Sequence, residues 1–362
     1  MSLFERIIPY FLSKEQIIKT DLVPMHEIEE IYCFSNTAIG DTLFNTPVFR
    51  SLKDNFPNKR IIAILNPTNY ALFSNNKDID EILLYSGKTK HFFQTLKMLK
   101  AKKPKLILLL HSNDPQATSM AVLSGAKYVI KIPNYSNKFN HWHTNNPTKP
   151  VDMRHGIFNR LKQLKYLGIK ETNPKMYLPL KNEAKDKIDK YLEYTNKKLI
   201  GFQIGASTLS RMWFKENWIE LGKKLLKKYP DINIVLTGAP NEIKMTKEVK
   251  IGINDKRVLN LAGRFNIESA AALIGRLNLL ITSDTGPLHI AIALKTPTIG
   301  FFVVAHHSGS NACYDQNIHL YIQKDKTCTP CIGKNCKFAE CMLQIKVDLV
   351  LDKVQEIWEK NI

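Results

Sequence analysis

Ser283-Asp284-Thr285-Gly286-Pro287-Leu288-His289-Ile290-Ala291-Ile292-Ala293-Leu294 decides how this chain is read. The apolar run Leu277 to Thr282 enters it as a buried strand, and Pro287 to Leu294 leaves it with a helical pattern. Between them stand Asp284, a residue type suited to an N-cap, the permissive Gly286, and Pro287, suited to the first helical position. Such a turn aims free backbone N–H groups and the positive end of a helix dipole at one spot beyond the strand. An anion such as a diphosphate fits there, and His289 in the first turn adds a donor.

The same strand-then-helix unit recurs along the chain. In the first half, strands are expected at Ile31 to Phe34, Ile61 to Leu65, Ile82 to Leu84, Leu106 to Leu110 and Tyr128 to Ile132. Helices are expected at Leu43 to Asn55, His91 to Lys100, Pro115 to Leu123 and His155 to Leu167. Gly168 to Lys197, polar and carrying Pro174 and Pro179, reads as a connector. Strands resume at Leu199 to Ile204, Ile232 to Thr237, Val258 to Leu261, Leu277 to Thr282 and Thr298 to Phe302, again with helical runs between them. The fold class is therefore α/β, with two Rossmann-like, doubly wound lobes facing a cleft at the C-terminal strand edges. The divisions expected are an extension (1–28), a first lobe (29–180), a second lobe (181–346) and a C-terminal helix (347–362).

The 362 residues are enough for two cores, and 44% of them are hydrophobic. No apolar run approaches the roughly 18 residues of a membrane span. Met1 to Lys19 lacks a small-residue cleavage site after a long apolar core, and six cysteines in so long a chain are no disulfide scaffold. A cytoplasmic protein is expected. The net charge of +19 reads either as a solvated lysine-rich surface or as attraction to an anionic partner. Phe4, Ile7, Ile8, Tyr10, Phe11 and Leu12 form an apolar cluster near basic residues, which either packs on the first lobe or lies on a membrane surface.

Three further loops carry chemistry. The first strand runs into Gly40-Asp41-Thr42, where Asp41 is either a helix cap or a general base facing the cleft. The second lobe opens with Gly205, Ser207, Thr208 and Arg211, whose amides, hydroxyls and guanidinium suit phosphate oxygens. Glu242 follows the next strand and is either a first-turn helix acid or an acceptor for ribose hydroxyls. The absence of GxGxxG after the first strand argues against a dinucleotide oxidoreductase.

Together these motifs resemble glycosyltransferase family 9, the ADP-heptose:lipopolysaccharide heptosyltransferases. The resemblance rests on Asp284 to His289 followed by Ala291, Ala293, Leu294 and Pro297, on Gly40-Asp41, on Gly205 to Trp213, and on Leu261-Ala262-Gly263. It implies a GT-B fold and an inverting transfer of a heptose or related sugar from a nucleotide-sugar donor, ADP-heptose first, to a lipopolysaccharide or lipooligosaccharide core, with no catalytic metal or other cofactor. Asp41 then resembles the base, with Gly40 and Thr42 on the acceptor side. Gly205, Ser207, Thr208, Arg211, Glu242, Thr285, Gly286 and His289 resemble donor contacts. Asp284 belongs to that loop as the residue that caps the helix and fixes it. An anionic glycolipid acceptor implies work at the inner face of the cytoplasmic membrane; His141, His143 and Arg154 either bind its phosphates or are plain basic surface. Two places depart from the family pattern: Phe214 replaces the proline after Arg-x-Trp, and the last strand runs into Val303-Val304-Ala305-His306-His307.

Cys328, Cys331, Cys336 and Cys341 read C-x2-C-x4-C-x4-C, a spacing that suits a structural zinc or iron site. Reduced packing thiols or a labile disulfide pair are the alternatives. The cluster and the charge also fit a different class, a basic nucleic-acid-binding protein with a zinc-knuckle-like element. Phe338 is the lone aromatic inside the cluster, too few for base stacking, so no nucleic acid is expected.

Overall fold

The computed structural model describes residues 3–87, 89–131, 135, 137–147, 155–193, 195 and 197–361, so Arg154 lies outside the described residues. The chain divides into two compact units, Met1–Pro179 and Leu180–Ile362.

In the first unit the strands are β1 (Glu30–Ser35), β2 (Arg60–Leu65), β3 (Glu81–Leu84), β4 (Leu106–His111) and β5 (Tyr128–Lys131). They form one parallel sheet ordered β3-β2-β1-β4-β5. The helices are α1 (Leu3–Leu12), α2 (Ile39–Leu43), α3 (Thr46–Asn55), α4 (Tyr70–Phe73), α5 (Phe92–Lys102), α6 (Gln116–Leu123) and α7 (Gly156–Leu161). β1, β2 and β4 are near-continuous apolar runs because both sheet faces are covered. The strand order reverses between β1 and β4, and this switch point is where such sheets open a crevice.

The second unit holds α8 (Asn182–Leu192), α9 (Lys215–Lys228), α10 (Ile243–Ile253), α11 (Ile267–Gly275), α12 (Gly286–Ala293), α13 (His307–Ser310) and α14 (Val347–Asn361). Its strands are β6 (Lys198–Gln203), β7 (Ile232–Thr237), β8 (Val258–Asn260), β9 (Leu279–Ser283), β10 (Thr298–Phe302) and β11 (His319–Gln323). They run parallel in the order β11-β10-β9-β6-β7-β8, with the switch point between β6 and β9. Trp213, Trp218, Phe202 and Phe301 fill the centre of this unit's core, and α14 adds Val350, Val354 and Ile357.

Several elements differ from the sequence reading: α4 and α13 were not expected, the α-helix expected from His155 to Leu167 ends at Leu161 and continues as a 3-10 turn, and three further differences have a clear cause. The helix expected from Leu43 to Asn55 is two helices. Pro47 has no N–H to offer the Leu43 carbonyl, which instead accepts the Thr46 hydroxyl at 2.8 Å. The connector contains α8, which buries only Ala184, Ile188 and Leu192, a stripe too thin to stand out among lysines and acids. β11 was not foreseen; as the sheet's edge strand it is only partly buried and lacks a strong apolar run.

Each unit buries a neutral histidine. Burial pushes His143 down to about 3 and His319 down to about 4, against an ordinary 6.5. The unfolded chain therefore binds more protons than the folded one below pH 6.5, so stability is full above that value and falls as pH drops toward the folded values. Each histidine should cost about 2 kcal/mol between pH 7.5 and pH 5. Urea unfolding at the two pH values should show both units weakened at pH 5; equal midpoints would contradict the assignment.

Candidate functional site

In the second unit the loops leaving β6 and β9 flank the switch point and are tied together. Arg211 donates from Nη1 to the Asp284 carbonyl at 2.8 Å, and its Nη2 lies 3.5 Å from Asp284 Oδ2. The Ser310 hydroxyl donates to Asp284 Oδ1 at 3.2 Å, and His289 Nε2 is 3.6 Å from the same oxygen. Asp284 is therefore not the helix cap expected from sequence. Thr285 holds the N-cap position of α12 with extended backbone, and no side chain caps the helix. The arginine fork and Ser310 outcompete the helix amides for the carboxylate, and the arginine's charge offsets its repulsion of an anion. Thr285 Oγ1 turns back to the Ser283 carbonyl at 3.2 Å. The first turn of α12 and its dipole are thus left to a ligand.

Arg211 is placed by its neighbour in sequence. Trp213 is buried, donates from Nε1 to the Ile345 carbonyl at 2.9 Å, and meets Trp218 and Phe301 edge-on. The Arg211 Nε is buried with no hydrogen-bond partner. Such a donor is costly unless a bound group meets it. Ser207 is exposed on the same loop, and the Thr208 hydroxyl lies 3.2 Å from that of Ser210.

Glu242 reaches the same edge. Its Oε2 accepts from Ala239 N at 2.8 Å and from Gln203 Nε2 at 3.2 Å. It is a first-turn acid, and one held hard against the β6 loop. A Cβ on Gly205 would stand 1.8 Å from Glu242 Oε1, and one on Gly238 would stand 2.7 Å from Oε2. A side chain at position 205 and the Glu242 carboxylate therefore cannot both keep these places. Gly205→Ala should push the carboxylate out of its seat and weaken binding of a nucleotide by about tenfold or more, the effect of lost well-packed contacts of about 1.4 kcal/mol or more. Titration calorimetry checks this; unchanged affinity would show that the Glu242 seat is irrelevant to the ligand.

In the first unit the switch point holds an acid. Asp41 is the third residue of α2. Its Oδ1 lies 3.1 Å from Arg160 Nη2 and 3.4 Å from His111 Nε2. His111 ends β4 and pairs in register with Ser35 at the end of β1. Its Nδ1 lies 2.6 Å from the Thr37 hydroxyl. Desolvation holds His111 down to about 4, against the opposing pull of Asp41, so the ring is neutral at neutral pH. The tautomer that satisfies both contacts accepts the Thr37 hydroxyl at Nδ1 and points Nε2–H at Asp41. Arg160 is buried in α7, donates from Nη1 to the Gly156 carbonyl at 2.7 Å, and lies 5.3 Å from the Phe44 ring centroid. Desolvation lowers it to about 10, which leaves it charged. Both neighbours hold one oxygen of a carboxylate that stays partly open to solvent.

Gly40 is buried within α2. Thr42 does not face an acceptor. It is fully buried, donates to the Ser35 carbonyl at 3.1 Å and accepts from Asn69 at 2.9 Å, so it anchors the loop. His143 is likewise interior, 3.0 Å from the Thr118 hydroxyl, while His141 is exposed beside the Trp142 ring. Sequence reasoning missed His111, Arg160 and Ser310. His111 was signalled by the polar end it puts on Leu106 to Leu110; Arg160, in a helical run that also carries Lys162 and Lys165, had no comparable signal.

The four clustered cysteines are free thiols. Among the described residues no three His, Cys, Asp or Glu side chains are arranged to hold a metal ion. Cys328 lies against Cys331 and within electrostatic range of Cys336 and Cys341. Two of the sulfurs also meet backbone amides: Cys341 accepts from Thr327 N at 3.2 Å and Cys331 from Gly333 N at 3.3 Å.

A family model described as glycosyltransferase family 9 (heptosyltransferase) matches residues 121–342, more than half of the chain. The chain is 21% identical to the lipopolysaccharide core heptosyltransferase OpsX of Haemophilus influenzae, over 89% of this chain and 94% of that protein. A family 9 glycosyl transferase from Veillonella parvula superposes with a TM-score of 0.78 at 19% identity, covering 94% of this chain and all (100%) of that one. The E. coli ADP-heptose LPS heptosyltransferase II superposes with a TM-score of 0.73 at 16% identity, covering 92% and 100%. These likenesses establish the two-lobe GT-B fold.

Proposed function

The chain belongs to glycosyltransferase family 9, and on that premise we propose that it transfers a heptose from ADP-heptose to a lipopolysaccharide or lipooligosaccharide core, with inversion at the anomeric carbon. The observation that carries this reading is the anion seat of the second unit: an uncapped helix N-terminus beside a fixed arginine with an unmet Nε donor. Its relatives, lipopolysaccharide core heptosyltransferases among them, support the sugar and the acceptor class.

In this mechanism Asp41 takes the proton of an acceptor hydroxyl as that oxygen bonds to the anomeric carbon. The bond from that carbon to the diphosphate oxygen breaks, and its electron pair leaves with the nucleotide. The base is held by neutral His111 and charged Arg160, so its open oxygen can face the hydroxyl. The departing charge meets Arg211, the amides of α12 and His289. Ser207, Thr208 and Glu242 complete the donor side. The acceptor is a lipid-borne anion, and we place the enzyme at the inner face of the cytoplasmic membrane.

The test is competitive binding with ADP-heptose, ADP, UDP- and GDP-sugars, and a short RNA. Tightest binding of ADP-heptose supports the reading. Preference for another nucleotide sugar replaces the donor, and binding of RNA alone removes the proposed heptosyl transfer.

A further inference from the structure

α1 has two apolar faces. Ile8 and Leu12 are buried in the first unit's core, where the helix packs against α6, and Trp142 Nε1 donates to the Leu12 carbonyl at 3.2 Å. The helix is thus fastened along one side. Ile7, Tyr10 and Phe11 point elsewhere and are 45%, 62% and 47% exposed. They follow i, i+3 and i+4 spacing and form one stripe along the helix, with Lys14 in the turn just past its end. A stripe of large apolar residues on an outer helix face is an unusual surface for a protein to leave open to water.

Two cations border it, with the exposed acid Glu15 beside the second of them. Exposed Arg6 stands one turn before Tyr10, and Lys14 Nζ lies 4.5 Å from the Tyr10 ring centroid. Aromatic and aliphatic side chains flanked by cations match the boundary between acyl chains and anionic headgroups. The whole chain carries +19, so a negative surface attracts it before the stripe makes contact. Among the described residues no helix is long and apolar enough to cross a membrane, so this contact would be interfacial. We propose that the outer stripe of α1, Ile7-Tyr10-Phe11 with Arg6 and Lys14, docks the first unit on an anionic lipid bilayer. The inference deepens the functional reading by naming the surface that meets the membrane, and rests on that reading only for its purpose.

The probe is a vesicle without glycolipid acceptor, so the outcome does not depend on heptose transfer. The full-length protein should co-sediment with vesicles containing phosphatidylglycerol and far less with pure phosphatidylcholine. The double substitution Tyr10→Ser with Phe11→Ser should lower partitioning at least about tenfold, since burying each ring is worth more than a tenfold factor. Arg6→Glu with Lys14→Glu should lower it by a similar factor, because each basic residue near a charged surface contributes roughly fivefold. Both variants keep Ile8 and Leu12 and should retain the parent's thermal midpoint and its transfer rate on detergent-dispersed acceptor. Unchanged partitioning in folded variants would overturn the proposal. So would equal binding to both vesicle types, or concentration-dependent dimerisation lost in the same variants without vesicle binding.

Discussion

Asp41→Asn is expected to lower kcat by about 10³-fold, within the range of general-base removal, while leaving donor affinity essentially unchanged. The asymmetry follows from where the residue sits. Asp41 belongs to the first unit, whereas the anion seat and the Glu242 loop belong to the second. Asparagine keeps the shape of the side chain but cannot take a proton. It also removes the counter-charge of buried Arg160, 3.1 Å away, so part of any loss could come from unfolding. The thermal midpoint and donor affinity separate the two causes: a folded variant that binds donor and does not turn over has lost its base. Asp41→Glu keeps the charge but displaces it from His111 and Arg160, and should recover only part of the rate. A folded Asp41→Asn enzyme with kcat within about tenfold of the parent would remove Asp41 from the role.

Arg211→Ala should cost about 10²- to 10³-fold in kcat/KM, the scale of removing one preorganised donor from a developing anion. Unlike the first variant, it should raise KM as well as lower kcat. Arg211 holds the Asp284 carbonyl and lies beside the Asp284 carboxylate, so without it the loop into α12 loses its tie and a buried acid loses its cation. Arg211→Lys should restore little, because an ammonium cannot reproduce the fork that spans the Asp284 backbone and side chain. Ser310→Ala removes only the neutral contact to Asp284 Oδ1 and should cost far less, about 1 kcal/mol of loop stability. An Arg211→Ala enzyme with unaltered kcat/KM would show that the diphosphate is held elsewhere.

Much of this site was legible in the chain because local signals and global topology agree there. A strand, a glycine and a proline fix the turn at Ser283 to Pro287 whatever lies around it, and the structure has that turn. The role of Asp284 was not legible. Which donor captures a carboxylate depends on Arg211, which lies 73 positions earlier in the chain and is brought close by the β6–β9 pairing. Asp41 was visible as an acid after a strand. Its clamp was not, because His111 and Arg160 come from β4 and α7, and only the sheet order sets them beside it. Thr42 was misread for a related reason: a hydroxyl next to a base looks available until burial shows it bonded to Ser35 and Asn69. The cysteine spacing was legible as a pattern, yet two of its thiols face neighbouring backbone amides.

We propose that this chain moves a heptose onto a lipopolysaccharide core with inversion. It is tested most directly by incubating the purified protein with ADP-heptose and a heptose-deficient lipopolysaccharide core, then analysing the product by mass spectrometry and NMR. One added heptosyl residue is expected, with an anomeric configuration opposite to that of the donor. An unmodified acceptor, or a product that keeps the donor's configuration, would contradict it.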